Sequence, residues 1–182
     1  MAAPARQPLS TRRAVLQTAW RSGGALVTAS VLASCGFELR QSPEMVFQTL
    51  YTNVPDNSVF GQQLKRSLKA NRQLEIITDV REIERAQVIF ELIQELQEKV
   101  VLSKSSTGTV REYLLRFRVR FKLRTRDGYE LIPETELVQE RDISFSETAA
   151  LSKESEEQLL YKDMRNDLVQ QVLRRLATVR QL

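Results

Sequence analysis

The sequence predicts an α+β fold: a two-layer sandwich in which a four-stranded, mostly antiparallel sheet carries two helices packed on one face. Three patterns predict it. Residues 115–123 alternate strictly, Leu115, Phe117, Val119, Phe121 and Leu123 against Arg116, Arg118, Arg120 and Lys122. Such alternation marks a strand with one buried and one wet face. Two other stretches, near residues 58–71 and 154–178, space their apolar residues at helical period instead. Between the strand segments, Ser105-Ser106-Thr107-Gly108 and Asp127-Gly128 supply hairpin turns.

The first 34 residues read as a lipoprotein signal peptide, separate from the domain. Arg6, Arg12, Arg13 and Arg21 are the charges before Cys35. Residues 23–32 are small and apolar, a run of about ten that suits an export signal and is too short to span a bilayer. Leu32-Ala33-Ser34-Cys35 then has the form of a lipobox, with small residues before the cysteine and a branched apolar residue three places ahead of it. A lone buried or free cysteine is the plainer reading of Cys35, but it leaves the flanking pattern unexplained. The expectation is cleavage before Cys35 and lipid attachment there, a diacylglycerol and an N-terminal acyl chain such as palmitate. Three chains, at about 0.8 kcal/mol per buried methylene, exceed the two signals that stable anchoring needs. Gly36 follows where an Asp would favour the inner membrane, so the expected location is the outer membrane, lipid-anchored in its inner leaflet on the periplasmic side. Thr11-Arg12-Arg13-Ala14-Val15-Leu16-Gln17 resembles a twin-arginine export motif, and an ordinary basic leader has the same charges. The general secretory route is expected, because no cofactor site calls for export of a folded protein.

Removing 34 of the 182 residues leaves 148, enough for one domain with a real core. The formal charge of +4 belongs to the leader. Of 27 basic residues, four precede Cys35, and the remaining 23 equal the 23 acidic ones. A neutral domain carries no electrostatic footprint for nucleic acid. One cysteine allows no intramolecular disulfide. The absence of histidine removes the commonest general base and transition-metal ligand.

Residues 35–44 form a short lipidated tether, and residues 45–182 the domain. Met45 to Thr52 (MVFQTLYT) reads as a strand, followed by turn residues Asn53-Val54-Pro55-Asp56-Asn57. Asn57 or Ser58 can cap a helix to about Asn71, with Phe60, Leu64 and Leu68 on one face. Residues 75–78 suit a short strand and residues 86–103 a long one. In the long one Val88, Phe90, Leu92, Leu96, Val100 and Leu102 share the apolar parity, and Glu91 and Glu95 the other. Residues 110–125 are the clearest strand. Residues 130–146 return as the next, with Pro133 expected at an edge or bulge. There Leu137, Ile143 and Phe145 oppose Glu136, Glu140 and Asp142. Ser152 or Ser155 can cap a final helix from about Glu154 to Thr178, with a ladder of Leu160, Met164, Leu168, Val172 and Leu176. Its acids come early and Arg174 and Arg175 late, matching the helix dipole.

No catalytic set emerges, and no enzyme activity or cofactor is expected. A Ser-His-Asp arrangement is impossible without histidine, and neither a phosphate loop nor calcium-loop spacing is present. Two cationic features remain. The stripe Arg116, Arg118, Arg120, Lys122 and Arg124 suits phosphorylated or acidic ligands. It equally suits cross-strand pairing with Glu91 and Glu95 before it and Glu136, Glu140 and Asp142 after it. Lys104 opens the Ser/Thr/Gly turn and Lys153 precedes the last helix, and both are expected to be exposed.

Three stretches resemble a known family. Cys35-Gly36-Phe37-Glu38-Leu39-Arg40 is similar to the Cys-Gly-aromatic-His-Leu-Arg start of the LptE (RlpB) lipopolysaccharide-assembly lipoproteins, with Glu38 in place of the usual histidine. Glu112-Tyr113 after a Gly-bearing turn is a second match. The third is Ala150-Leu151-Ser152-Lys153, then Glu157, Lys162-Asp163-Met164, Gln171 and Arg174-Arg175-Leu176. The resemblance implies an α/β domain that plugs the LPS translocon barrel LptD, supports its assembly and binds lipopolysaccharide. It implies LPS contact for Lys153, and for Lys104 if the turn is about two residues longer than the family's; the cationic stripe adds Arg116, Arg118 and Arg120 as further expected contacts. The rival expectation is an outer-membrane lipoprotein that binds a soluble ligand or peptidoglycan without a barrel partner.

Overall fold

The computed structural model describes residues 44–146 and 150–182. Cys35 and the expected signal peptide lie outside the described residues. The elements run β1 (Thr49–Thr52), α1 (Val59–Lys69), β2 (Glu75–Ile77), a 3-10 helix (Val80–Arg85), β3 (Val88–Lys104), β4 (Val110–Thr125), β5 (Glu130–Ser144) and α2 (Ala150–Leu176).

The α+β class holds, but the sheet differs from the expected one. It has five strands, in the order β2-β1-β3-β4-β5. It is also mixed: β1 runs parallel to both β2 and β3, while β3, β4 and β5 form an antiparallel meander. Parallel pairing needs a crossover in place of a hairpin turn, and α1 provides it. Nothing in the short runs 49–52 and 75–77 marks their neighbours, which is why four antiparallel strands was the simpler expectation.

Ser58 caps α1, its hydroxyl accepting the Gly61 N–H at 2.7 Å. Phe60, Leu64 and Leu68 are fully buried, as the helical spacing requires. Gly61 is fixed by close approach: a Cβ there would lie 1.8 Å from Val54 Cγ1. The longer helix α2 begins at Ala150, about a turn before the expected start, so Ser152 and Ser155 fall inside it. The Ser155 hydroxyl donates back to the Leu151 carbonyl at 3.3 Å. Met164, Leu168, Val172 and Leu176 are buried with Val169 and Leu173.

Both helices cover the same face of the sheet. Leu115, Phe117, Val119, Phe121 and Leu123 of β4 all lie fully buried there. Phe60 of α1 meets Phe117 edge-on at 6.3 Å, and Phe90 of β3 stacks on Phe121 at 5.4 Å. A fully buried Phe or Leu stabilises by about 1.5–3 kcal/mol, so this one strand face organises much of the core. The turns at Gly108 (φ +86°) and Gly128 (φ +93°) use the left-handed backbone that glycine tolerates. Pro133 sits on an edge strand where the pairing slips between Thr135 and Ile132, both features expected of it.

The parity expected for β3 fails halfway along. Leu92 pairs with Phe121 and Gln94 with Arg120, leaving Ile93 as an unmatched residue. One extra residue in a strand exchanges its two faces beyond that point. Leu96 and Val100 therefore share a face with Arg118 and Leu114, away from the helices, and both are exposed. Glu95 and Lys99 come to the helical face, opposite Val119 and Leu115. A second slip, between Val101 and Ser103, leaves Leu102 unmatched.

Candidate functional site

The wet face of the sheet carries the arginine stripe, and the register pairs it with acids. Arg116 Nε donates to Glu140 at 2.6 Å, and Glu98 stands 4.0 Å from the same guanidinium. Arg118 reaches Glu98 at 2.7 Å and Glu136 at 3.7 Å. Arg120 meets Glu134 at 3.0 Å, and Glu91 serves both Lys122 (3.1 Å) and Arg124 (2.7 Å). Five cations thus face five carboxylates, and any anionic ligand of Arg116, Arg118 or Arg120 competes with a neighbour already in place. The Nε atoms of Arg118 and Arg120 are buried without a hydrogen-bond partner among the described residues. Burial pushes the Glu91 carboxyl up, but the hydrogen bonds and charges of Arg124 and Lys122 outweigh it, so its pKa lies below the ordinary carboxylate value.

Lys104 and Lys153 come to the same end of the sheet, the end of the Ser105–Gly108 turn. Lys104 pairs with Val110, is exposed and has no ion-pair partner among the described residues. Lys153 is half-buried instead of exposed, its ammonium donating to Glu156 at 2.8 Å and to the Ser144 hydroxyl at 2.9 Å. Glu112, across from Ser144, is in turn opposite Ser103, next to Lys104.

Lys153 borders a cleft of about 390 Å³ between the start of α2 and the ends of β3, β4 and β5. Tyr113 and Phe145 form its apolar floor, edge to face at 5.6 Å. Lys99 lies 4.4 Å over the Tyr113 ring and pairs with Glu157 at 2.6 Å. Tyr161 donates to the Glu98 carbonyl at 2.8 Å. Burial, then the charges of Glu157 and Glu98, raise its pKa and keep the phenol protonated as that donor. Chemically the cleft offers two ammonium groups over aromatic surface, tempered by acids. A larger depression of about 900 Å³ lies at the opposite end of the sheet, by the Asp127-Gly128 turn, and touches none of the expected site residues.

Sequence reasoning singled out Lys153 but missed Lys99 and Tyr161. The Ile93 bulge hid Lys99, because an unbroken alternation puts residue 99 on the wet face. Tyr161 had a visible signal, a polar-tipped aromatic next to the apolar ladder of α2.

The lipopolysaccharide-assembly family LptE matches residues 47–176. The chain belongs to this family. An uncharacterized lipoprotein B from Nitrosomonas europaea, solved by NMR, shares 34% identity over 76% of this chain and 88% of that one, with a TM-score of 0.65. Rare lipoprotein B from Shewanella oneidensis (24% identity, 71% and 94% covered, TM-score 0.59) has a similar fold. So does a minor lipoprotein from Acinetobacter baumannii (20%, 74% and 94%, 0.58). No curated protein matches the chain. The LptE match begins in the residues leading into β1 and ends at the last residue of α2, so it covers the whole sheet and both helices.

Proposed function

We propose that this LptE-family chain is an outer-membrane lipoprotein, anchored through acyl chains on Cys35, that plugs the LptD barrel, supports its assembly and binds lipopolysaccharide in transit. It acts by binding, without catalysis. The match of the LptE family over residues 47–176 carries the reading. Physical chemistry supports it. The lumen of a large outer-membrane barrel is polar, and a plug must offer it a charged, self-compensated surface. The wet face of β3, β4 and β5 has that character. Lys153 and Lys104 are the proposed lipopolysaccharide contacts, since ammonium groups suit phosphates and acidic sugars. Arg116, Arg118 and Arg120 follow them, because each must first exchange a carboxylate.

The test is a pull-down of the full-length, C-terminally tagged protein from outer membranes in mild detergent. A stoichiometric β-barrel several times larger is the expected partner. Its absence from a fraction rich in the lipoprotein overturns the reading. Cys35→Ala is expected to release the protein from the membrane fraction, read by sedimentation and blotting.

A further inference from the structure

The end of the sheet where β1 starts differs from the end that bears Lys104. Leu50 pairs with Val88 at the start of β3, and the Gln48 carbonyl accepts the Glu75 N–H at 2.8 Å. Both helices finish at this end, where the Asp127-Gly128 turn and residues 178–182 border the depression of about 900 Å³. The chain also enters the domain here. The nine residue steps from Cys35 to Glu44, the first described residue, span at most about 32 Å. β4 alone, at 16 residues, is about 50 Å long. Cations collect at the entry end. Arg66 and Lys69 lie in the last turn of α1, Arg174 and Arg175 in the last turn of α2, and Arg72 and Arg180 just beyond the helices. All six are exposed, and none has an ion-pair partner among the described residues. Arg85 holds Glu75 and Glu82, and Arg126 lies 3.8 Å from Asp127, so the acids left there without an ion pair are Glu44, Glu84 and Glu130. A helix C-terminus accounts for cations in its last turn, but its pull fades within that turn and does not explain Arg72 or Arg180. At the opposite end Lys104 and Arg111 stand against Glu112, Asp142 and Glu154, likewise without ion pairs among the described residues, and no surplus arises.

We infer that the entry end is a docking face for the anionic phospholipid headgroups of the leaflet that carries the anchor. The charge complement is direct: guanidinium and ammonium groups in surplus meet phosphodiesters. The tether holds this end within about 32 Å of the leaflet, so the headgroups stand at high effective concentration. Tyr129, 71% exposed at the β4–β5 turn beside Arg126, has the apolar body and polar tip that suit the headgroup layer. An acyl anchor with a basic patch is a two-signal attachment to a membrane. Docking stands the sheet on its end, with Lys104 and Lys153 about 50 Å from the leaflet. The inference rests on the acyl anchor of the proposed function and concerns the lipoprotein before a barrel encloses it.

The experiment reconstitutes the acylated lipoprotein, purified from outer membranes, into phosphatidylcholine vesicles with or without phosphatidylglycerol, each containing a lipid with a nitroxide headgroup. Cys35 is the one cysteine of the chain, so once it is acylated a cysteine placed at Gln181 or at Ser106 alone takes a fluorophore. With phosphatidylglycerol, the label at residue 181 is expected to be quenched and the label at residue 106 is not. Without it, or in molar salt, quenching at residue 181 is expected to fall about tenfold. The variant R72Q/R180Q changes two exposed side chains outside the helices and is expected to give a similar fall, about tenfold, at an unchanged melting temperature. Equal quenching of the two labels, quenching at residue 181 that ignores phosphatidylglycerol, or unchanged quenching in R72Q/R180Q overturns the inference. Mass spectrometry of the purified chain and the pull-down separate it from the reading it rests on. Cys35 without acyl chains overturns the anchor and this inference together. Docking by a lipoprotein that brings down no barrel upholds this inference and overturns the plug.

Discussion

The two faces of β4 share one backbone and do different jobs. On the helical side, Leu115 to Leu123 at every second position are wholly buried against Phe60, Phe90 and the ladder of α2. On the wet side, Arg116 to Arg124 are each about 30–40% exposed and tied to acids of β3 and β5. Burial free energy scales with apolar area removed from water, whereas partly exposed ion pairs yield about 0.2–1 kcal/mol each. The apolar face therefore sets whether the domain folds. The charged face sets what the folded domain can lie against.

Substitutions that cross from one face to the other sharpen that contrast. Phe117→Ala removes a ring at the meeting point of sheet and helix and is expected to cost about 3–5 kcal/mol, read by urea unfolding. A cost under about 1 kcal/mol there breaks the comparison. Gly61→Ala forces a methyl group onto Val54 and is expected to destabilise by about 1–3 kcal/mol, measured the same way. Glu91→Gln leaves Lys122 and Arg124 without their carboxylate and is expected to cost about 1 kcal/mol near neutrality. The pH dependence has a definite sign. The Glu91 pKa is lowered in the folded state, so its contribution is present above the ordinary carboxylate value of 4.5 and is lost as pH falls through the lower folded value. The stability curves of the wild type and Glu91→Gln should converge in acid. Lys104→Ala, at an exposed position with no ion pair, is expected to leave stability unchanged. Under the proposed function it still weakens binding to lipopolysaccharide, checked with the purified full-length lipoprotein.

Much of the fold was legible because local signals agreed. The strand at 110–125 was read to the residue, since ten successive positions alternate without a break. A cap at Asn57 or Ser58, of which Ser58 serves, and the two Gly turns followed from local chemistry alone. What escaped depends on distant pairing. Ile93 is an ordinary β-branched residue, and nothing beside it announces that β4 offers it no partner, so the faces of Leu96 and Glu95 were read in reverse. The parallel pairing of β1 was equally invisible, because Leu50 meets Val88 only through the crossover. The arginine stripe stood out at once as a run of cations. Its pairing with Glu91, Glu136 and Glu140 was legible too, whereas the share taken by Glu98 in place of Glu95 depends on the bulge. Lys153 was found by family resemblance, but its hold on Glu156 and Ser144 depends on where α2 begins.

The placement of β1 has a consequence for the order of folding. It comes first in the chain yet lies between β2 and β3, and Thr52 pairs with Phe90, 38 residues later. The meander of β3, β4 and β5 closes through short turns and can form from local contacts, which is the quick route. β1 must wait for a strand that does not yet exist when it is made. In a chain that emerges from its N-terminus, Phe47 and Leu50, both buried in the finished core, lack the β3 side of that core until residue 90 arrives. The stretch nearest the expected lipid anchor is thus made before any strand it pairs with, and a chaperone has apolar surface to protect there.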